Sequence, residues 1–180
     1  MILSKLSRRM ALAAGLAGLA ATPALAASVT VPMALATPQG PGAAVGEVTL
    51  RDAAKGVSIR LDLHGLPPGE HGFHLHETPS CAPATAADGA VTPAGAAGGH
   101  LDPAMTKTHA GPQGAGHLGD LPRITVAADG TSRQTLEAPR LGSAAAFRGH
   151  ALMIHAGGDT YADTPPLGGG GARLACGVVP

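Results

Sequence analysis

Val57-Ser58-Ile59-Arg60-Leu61-Asp62-Leu63 alternates apolar and polar residues without a break, which puts Val57, Ile59, Leu61 and Leu63 on one face of an extended chain. A period of two also runs through 29–35, 46–52, 71–77, 123–127, 131–137, 151–154 and 172–179, and nothing after residue 26 carries a convincing helical period. Turn residues separate these runs. Ala53-Ala54-Lys55-Gly56 predicts a hairpin between the second and third, and Asp129-Gly130 a hairpin between 123–127 and 131–137. With 27 glycines and 16 prolines in 180 residues, about a quarter of the chain suits turns and long loops, and a helix bundle is excluded. Phe73, Phe147 and Tyr161 are the only aromatics, so Val, Leu, Ile and Ala must build the core and base stacking has no platform. The expectation is an all-β fold, an antiparallel sandwich or barrel of about eight strands.

Residues 1–26 follow a different logic. Lys5, Arg8 and Arg9 precede a short apolar run from Met10 to Ala20, and Ala24-Leu25-Ala26 supplies a small-x-small cleavage pattern. The run is shorter than the ~20 apolar residues a spanning helix needs. The reading is a cleavable signal peptide over 1–26 and one mature domain over 27–180, exported to a bacterial periplasm, with no membrane association after cleavage. Ser7-Arg8-Arg9 hints at twin-arginine export, although Ala11 stands where that signal usually has Phe. The whole chain balances 12 Lys and Arg against 12 Asp and Glu; cleavage removes three positive charges and no negative one, leaving −3. A nucleic-acid partner, which would demand a basic excess, is excluded. Cys81 and Cys176 both lie in the mature domain, and an oxidising compartment predicts that they pair.

Two segments refuse the strand pattern: 78–121, rich in Gly, Pro, Ala and His, and 156–171, which ends in four glycines. A loop of the first kind inside a compact domain needs a reason to exist. His74 and His76, at i and i+2 on a predicted strand, leave the same face, while Phe73 and Leu75 point to the core. His100, His109, His117 and Asp120 lie within the long loop, and three imidazoles with one carboxylate make a closed, tetrahedral donor set suited to zinc. Such a loop could fold around an ion instead of a core. His155 ends another predicted strand and could meet His74 and His76.

The segments HGFHLHE at 71–77, GGHLDP at 98–103, THAGP at 108–112, GHLGDLP at 116–122 and GGGGARLACGVV at 168–179 together resemble the exported bacterial copper–zinc superoxide dismutases, over essentially the whole mature domain. The resemblance implies an eight-stranded antiparallel Greek-key β-barrel or sandwich with long metal-binding and channel loops. It implies copper on His74, His76, His100 and His155, and zinc on His100, His109, His117 and Asp120, so that His100 bridges the two metals. Asp159 then corresponds to a carboxylate that holds the free N–H of one copper and one zinc histidine. Arg173, with His100 one of the two catalytic residues, corresponds to the arginine that draws superoxide to the copper. The implied activity is dismutation of superoxide to O2 and H2O2 by cyclic reduction and reoxidation of that copper.

One feature departs from the steered members of the family: 78–99 and 156–172 contain no Lys or Arg, and Lys107 and Arg173 are the remaining positive candidates near the site. The rival reading is a non-catalytic periplasmic protein that binds or delivers copper and zinc; a full set of four copper-type histidines plus Arg173 argues against it. A metal-free adhesive sandwich leaves the six histidines unexplained. Monomer and homodimer both stay open.

Overall fold

The computed structural model describes residues 28–180, so the expected signal peptide lies outside the described residues. Three long strands open the fold: β1 (Ser28–Thr37), β2 (Gly40–Ala53) and β3 (Gly56–Leu63). They run antiparallel as consecutive hairpins, and the second turn pairs Ala53 with Gly56 as expected. Gly56 has φ +84°, a conformation that side chains resist, and a Cβ there would collide with the Ala138 carbonyl. Along β3, Val57, Ile59, Leu61 and Leu63 are buried, while Arg60 and Asp62 face solvent.

The predicted strand at 71–77 is two strands, β4 (Gly69–His71) and β5 (Phe73–His76), broken at Gly72. The physical reason is partnership. Gly72 exchanges its backbone hydrogen bonds with Gly157 and His155, whereas β4 pairs elsewhere. Two short strands, β6 (Ala84–Thr85) and β7 (Val91–Thr92), and a single 3-10 turn at Gly95–Ala97 occupy the long segment that reads as strandless in sequence. β8 (Ile124–Val126), β9 (Thr135–Ala138), β10 (Ala151–His155) and β11 (Arg173–Val178) complete the order.

A seven-stranded antiparallel sheet runs β5-β10-β11-β1-β2-β3-β9, and β4 pairs with β8. Its two edges are joined through that pair: β4 leads through Gly72 into β5, and β8 leads through the Asp129-Gly130 turn towards β9. The sheet therefore curls on itself. The turn forms, with Ala127 N–H on the Thr131 carbonyl at 2.8 Å, yet it does not make the predicted hairpin. Ser132 instead exchanges both backbone hydrogen bonds with Leu63, and β9 pairs with β3, so the chain crosses from one sheet to the other at the turn.

The main core is aliphatic, with Val31, Val48, Leu50, Ile59, Leu61, Leu75, Leu152 and Ile154 buried around Phe73 and Phe147. A second, smaller core lies on the opposite face of β10 and β11, where Ala151, Met153 and Cys176 meet Ala94 and Ala97 from the long loop. Met153 thus packs under that loop and not among the Leu and Ile of the barrel. The Cys81–Cys176 disulfide crosses the same layer and ties the loop to β11. This outer layer is where the histidines gather.

Candidate metal centre

Strand β5 presents Phe73 and Leu75 to the main core and turns His74 and His76 to the outer face, where both are buried. The long loop extends the sheet beyond β5: Leu101 N–H donates to the Leu75 carbonyl at 2.8 Å, and Leu75 N–H to the Gly119 carbonyl at 2.9 Å. These bonds set His100 opposite His76 and Asp120 opposite His74. On the other side of β5, Ile154 pairs with Phe73, and the next residue along β10 is His155. Four separate stretches of chain are thereby brought to one buried place.

His74, His76, His100 and His155 can each turn one nitrogen into a common space, with those atoms within 4.8 Å of one another. The outward nitrogens are spoken for. His74 Nε2 donates to Asp159 Oδ2 at 2.8 Å, His76 Nδ1 to the Gly98 carbonyl at 3.0 Å and His155 Nδ1 to the Gly171 carbonyl at 3.1 Å. In neutral rings the inward nitrogens are then bare lone pairs. His74 Nδ1 and His100 Nε2 are buried with no hydrogen-bond partner, and His76 Nε2 and His155 Nε2 face each other at 3.4 Å. Buried lone pairs converging without a donor call for a cation.

A second convergence adjoins the first. Asp120 Oδ1 lies 3.1, 3.0 and 3.3 Å from the Nδ1 atoms of His100, His109 and His117. A second group with ligand atoms within 4.8 Å of one another is His74, His100, His109 and Asp120, with His74 in the place that the resemblance gives to His117. Three nitrogens and a carboxylate oxygen suit zinc, and four nitrogens suit copper. His100 belongs to both convergences and has a nitrogen for each.

Asp159 spans the two. Its Oδ2 accepts from His74 and its Oδ1 from His109 Nε2, both at 2.8 Å, and Oδ1 also accepts the Tyr161 N–H at 2.7 Å. Gly168 packs against this carboxylate, and a Cβ there would collide with Asp159 Oδ1. The four-glycine run is therefore a wall built close to the site. Half-buried Arg173 pairs across the sheet with His155 and donates to the carbonyls of Ala94 and Gly98. Gly98 O thus holds both His76 and Arg173, and Cys176, three residues on, anchors the strand that carries the arginine.

Sequence reasoning missed the groups that fix this frame. Glu77 Oε2 accepts the Gly99 N–H at 3.1 Å, Asp163 Oδ1 accepts the His109 N–H at 2.6 Å, and Arg123 Nη1 donates to the Asp159 carbonyl at 2.9 Å. All three act on distant backbone, which leaves no spacing signature; only the Glu that follows HGFHLH stood in a quoted motif. Among the histidines outside both convergences, His71 places its two ring nitrogens 2.8 Å from the carbonyls of His155 and Pro67, and His150 donates to the Glu77 carbonyl.

Burial lowers the pKa of His74 to about 3, of His76 to about 2 and of His155 to about 4. Burial would also lower that of His109, but the Asp120 and Asp159 carboxylates prevail and raise it to about 9. Asp120 and Asp159 are held well below the carboxylate range: burial opposes this, but N–H donors from the histidines and backbone outweigh it. For the metal-free protein the sign follows. An unfolded histidine titrates near about 6.5. These three histidines, and His100, which burial also lowers, stay neutral in the fold, so the unfolded state binds more protons as pH falls below that value and stability is lost. The His109 contribution is complete below about 6.5 and is lost as pH rises through 9, so it changes little between 5 and 7. The metal-free protein should melt at a lower temperature at pH 5 than at pH 7. An equal or higher melting point at pH 5 would contradict this reading of the buried rings.

The curled antiparallel barrel and its paired donor sets define a histidine-rich binuclear metalloprotein. The chain belongs to the copper/zinc superoxide dismutase family, whose family model matches residues 44–179. It is 52% identical over 162 residues to the copper–zinc superoxide dismutase of Brucella abortus, covering 89% of this chain and 93% of the relative. It is 53% identical over 165 residues to that of Escherichia coli, covering 91% and 95%. Among solved structures, the copper/zinc superoxide dismutase of Brucella abortus superposes with a TM-score of 0.83 at 52% identity, over 86% of this chain and all of that one. The monomeric copper, zinc superoxide dismutase of Salmonella enterica gives 0.78 at 51% identity, over 86% and 100%.

Proposed function

We propose that superoxide dismutation runs here on a copper held by His74, His76, His100 and His155, beside a zinc held by His100, His109, His117 and Asp120. The activity itself, conversion of two superoxide anions and two protons to O2 and H2O2, and the use of copper and zinc come with the family. The observation that carries the residue assignment is the set of inward lone pairs, above all the unpartnered buried His74 Nδ1 and His100 Nε2. His117 is assigned to zinc in preference to His74 because its Nδ1 faces the same Asp120 oxygen as the other two, while His74 Nε2 is committed to Asp159. Metal analysis after loading with both ions tests the assignment: one copper and one zinc per chain is expected, and a single metal per chain overturns it.

Copper, when bound, supplies the one-electron couple that takes an electron from one superoxide and returns one to the next, and zinc supplies fixed positive charge beside His100. The remaining work falls to side chains. The Arg173 guanidinium, always charged and rich in donors, receives the anion next to His155. His100, the residue shared by the two donor sets, would pass one of the two protons to the product, while water would give the other. Asp159 keeps His74 and His109 turned to their places. No residue of the site needs a second chain, so the scheme holds for a monomer or a homodimer. The relatives named above are enzymes, so a non-catalytic copper and zinc carrier is not favoured.

Steering of the anion should be weak. Asp88, Asp159 and Asp163 are the only charges in 78–99 and 156–172. Long-range attraction is what salt screens. The dismutation rate should therefore fall only slightly, less than about twofold, between low and physiological ionic strength. A steep fall that Lys107→Ala leaves unchanged would contradict this. We further propose that residues 1–26 direct export and that 27–180 work in the periplasm; intact mass of the exported protein, expected to begin at Ala27, tests it.

A further inference from the structure

A metal-bound imidazole is aimed by whatever holds its other nitrogen. Most of the ligand rings proposed above meet this condition through the bonds to Asp159, Gly98 and Gly171, and His100 turns its two nitrogens to two donor sets. His117 is the exception. Its Nδ1 sits 3.3 Å from Asp120 Oδ1, the longest of the three such distances, and its Nε2 has no protein partner among the described residues. Its side chain is also the most exposed of those around Asp120, at 10%. The direction of this ring must therefore be set through its backbone.

Arg140 is placed to do so. It follows β9 and Pro139, and reaches back to the long loop, where Nη1 donates to the His117 carbonyl at 2.8 Å and Nη2 to the Gly116 carbonyl at 2.7 Å. Two parallel donors on successive carbonyls fix the orientation of the peptide between them, which a single point charge cannot do. The opposite side of the same peptide is also held. His117 N–H donates to the Thr108 carbonyl at 2.9 Å, and Gly116 lies so close to that carbonyl that a Cβ would collide with it. The base of the clamp is rigid: Ala138, two residues before Arg140, is buried and pairs with Val57 of β3. Pro139 then fixes the backbone leading to the arginine.

We propose that Arg140 is a positioning residue for the zinc site, which aims the His117 imidazole by gripping the carbonyls of residues 116 and 117 and thereby sets how tightly zinc is retained. The inference rests on the reading of His117 as a zinc ligand. It assigns to the barrel, through one side chain, a task that Asp159 performs from within the site for His109.

The test is the rate at which protein loaded with copper and zinc gives up zinc to a colorimetric chelator, in wild type, Arg140→Ala, Arg140→Lys and His117→Ala. Cobalt(II) placed in the zinc position adds a visible absorption spectrum that reports ligand geometry. Arg140→Ala should release zinc ten- to a hundredfold faster, the size typical for losing a group that orients a ligand. It should also shift the cobalt spectrum and leave the copper(II) spectrum unchanged. Lysine keeps the charge but not the fork, so Arg140→Lys should stay nearer to the alanine variant than to wild type. It carries the test by itself if Arg140→Ala does not fold. Zinc release within twofold of wild type in both Arg140 variants, or full recovery with lysine, overturns the proposal. So does an equal loss of stability in metal-free and loaded forms, which would mark a merely structural anchor. If His117→Ala also releases zinc at the wild-type rate, the zinc assignment of His117 falls as well, and the two failures are thereby told apart.

Discussion

Replacing His155 by alanine should lower the dismutation rate by at least about a hundredfold while zinc stays bound. Losing a group that merely orients a metal ligand costs about 10–100-fold, and a ligand itself should cost more. His155 is the cleanest place to make the cut. It lies at the end of β10, away from the carboxylate of Asp120, and its Nδ1 is held only by the Gly171 carbonyl. The zinc-side contacts of His100, His109 and His117 with Asp120 do not involve it, nor do the Asp159 bonds to His74 and His109. Its main-chain carbonyl still accepts from His71 after truncation. Metal analysis of the variant should find zinc near one per chain and copper reduced or loosely held. Wild-type activity in a protein proven to lack the imidazole would remove His155 from the copper set.

Removing the disulfide, as Cys81→Ser with Cys176→Ser, should produce the largest fall in stability of any single structural change. The bond closes a loop with a sequence separation of 95. In the chain-entropy treatment a loop of that size restrains the unfolded state by about 4–5 kcal/mol. Cys176 is also buried against Ala94, Ala97, Ala151 and Met153, where a hydroxyl finds poorer company than a disulfide. For a domain of this length the melting temperature of the metal-free protein should drop by about 10 °C or more. Function is linked to the same layer, since the carbonyls of Ala94 and Gly98 receive Arg173 and Gly98 also holds His76. Loss of the bond should therefore reduce activity even where the variant remains folded. A melting temperature within about 2 °C of wild type would show that the outer layer packs without the cross-link.

Much of this architecture is legible in the sequence because its determinants are local. Alternation along 57–63 predicts which side chains of β3 are buried, and the i, i+2 spacing of His74 and His76 places both on the face opposite Phe73 and Leu75. The order of the glycine- and histidine-bearing segments between 71 and 179 carries the family. What stays hidden is non-local. Nothing in 71–77 announces that Gly72 will bond to residues 155 and 157 and split the strand. Asp129-Gly130 predicts its turn correctly but not that Ser132 will leave for Leu63. The 84–92 hairpin is made of two-residue strands, too short for any periodicity to register. The clamps on the site act largely through backbone carbonyls, at residues 98, 116, 117 and 171, and a carbonyl is the one group every residue possesses. Arg140 and Asp163 therefore look in sequence like ordinary surface charges.

The folded outer layer and the chemistry are one construction. The long loop has little core of its own, so it is held by the disulfide and by β5, and on the proposed assignment zinc on its histidines and Asp120 would hold it further. The glycines of 168–171 let the second loop close over Asp159 and His155 without side chains of their own. Arg173 lies on β11, which the Cys81–Cys176 disulfide ties to the first of these loops. A rigid barrel with a metal-organised lid is a consistent solution for a reaction whose substrate is a two-atom anion.

The most direct measurement is superoxide decay, followed by pulse radiolysis, in the presence of the purified protein loaded with one copper and one zinc per chain, with and without cyanide. Fast catalytic decay that cyanide, a ligand for copper, abolishes is the predicted result. Full loading with both metals and no acceleration of superoxide decay would contradict the account at its centre.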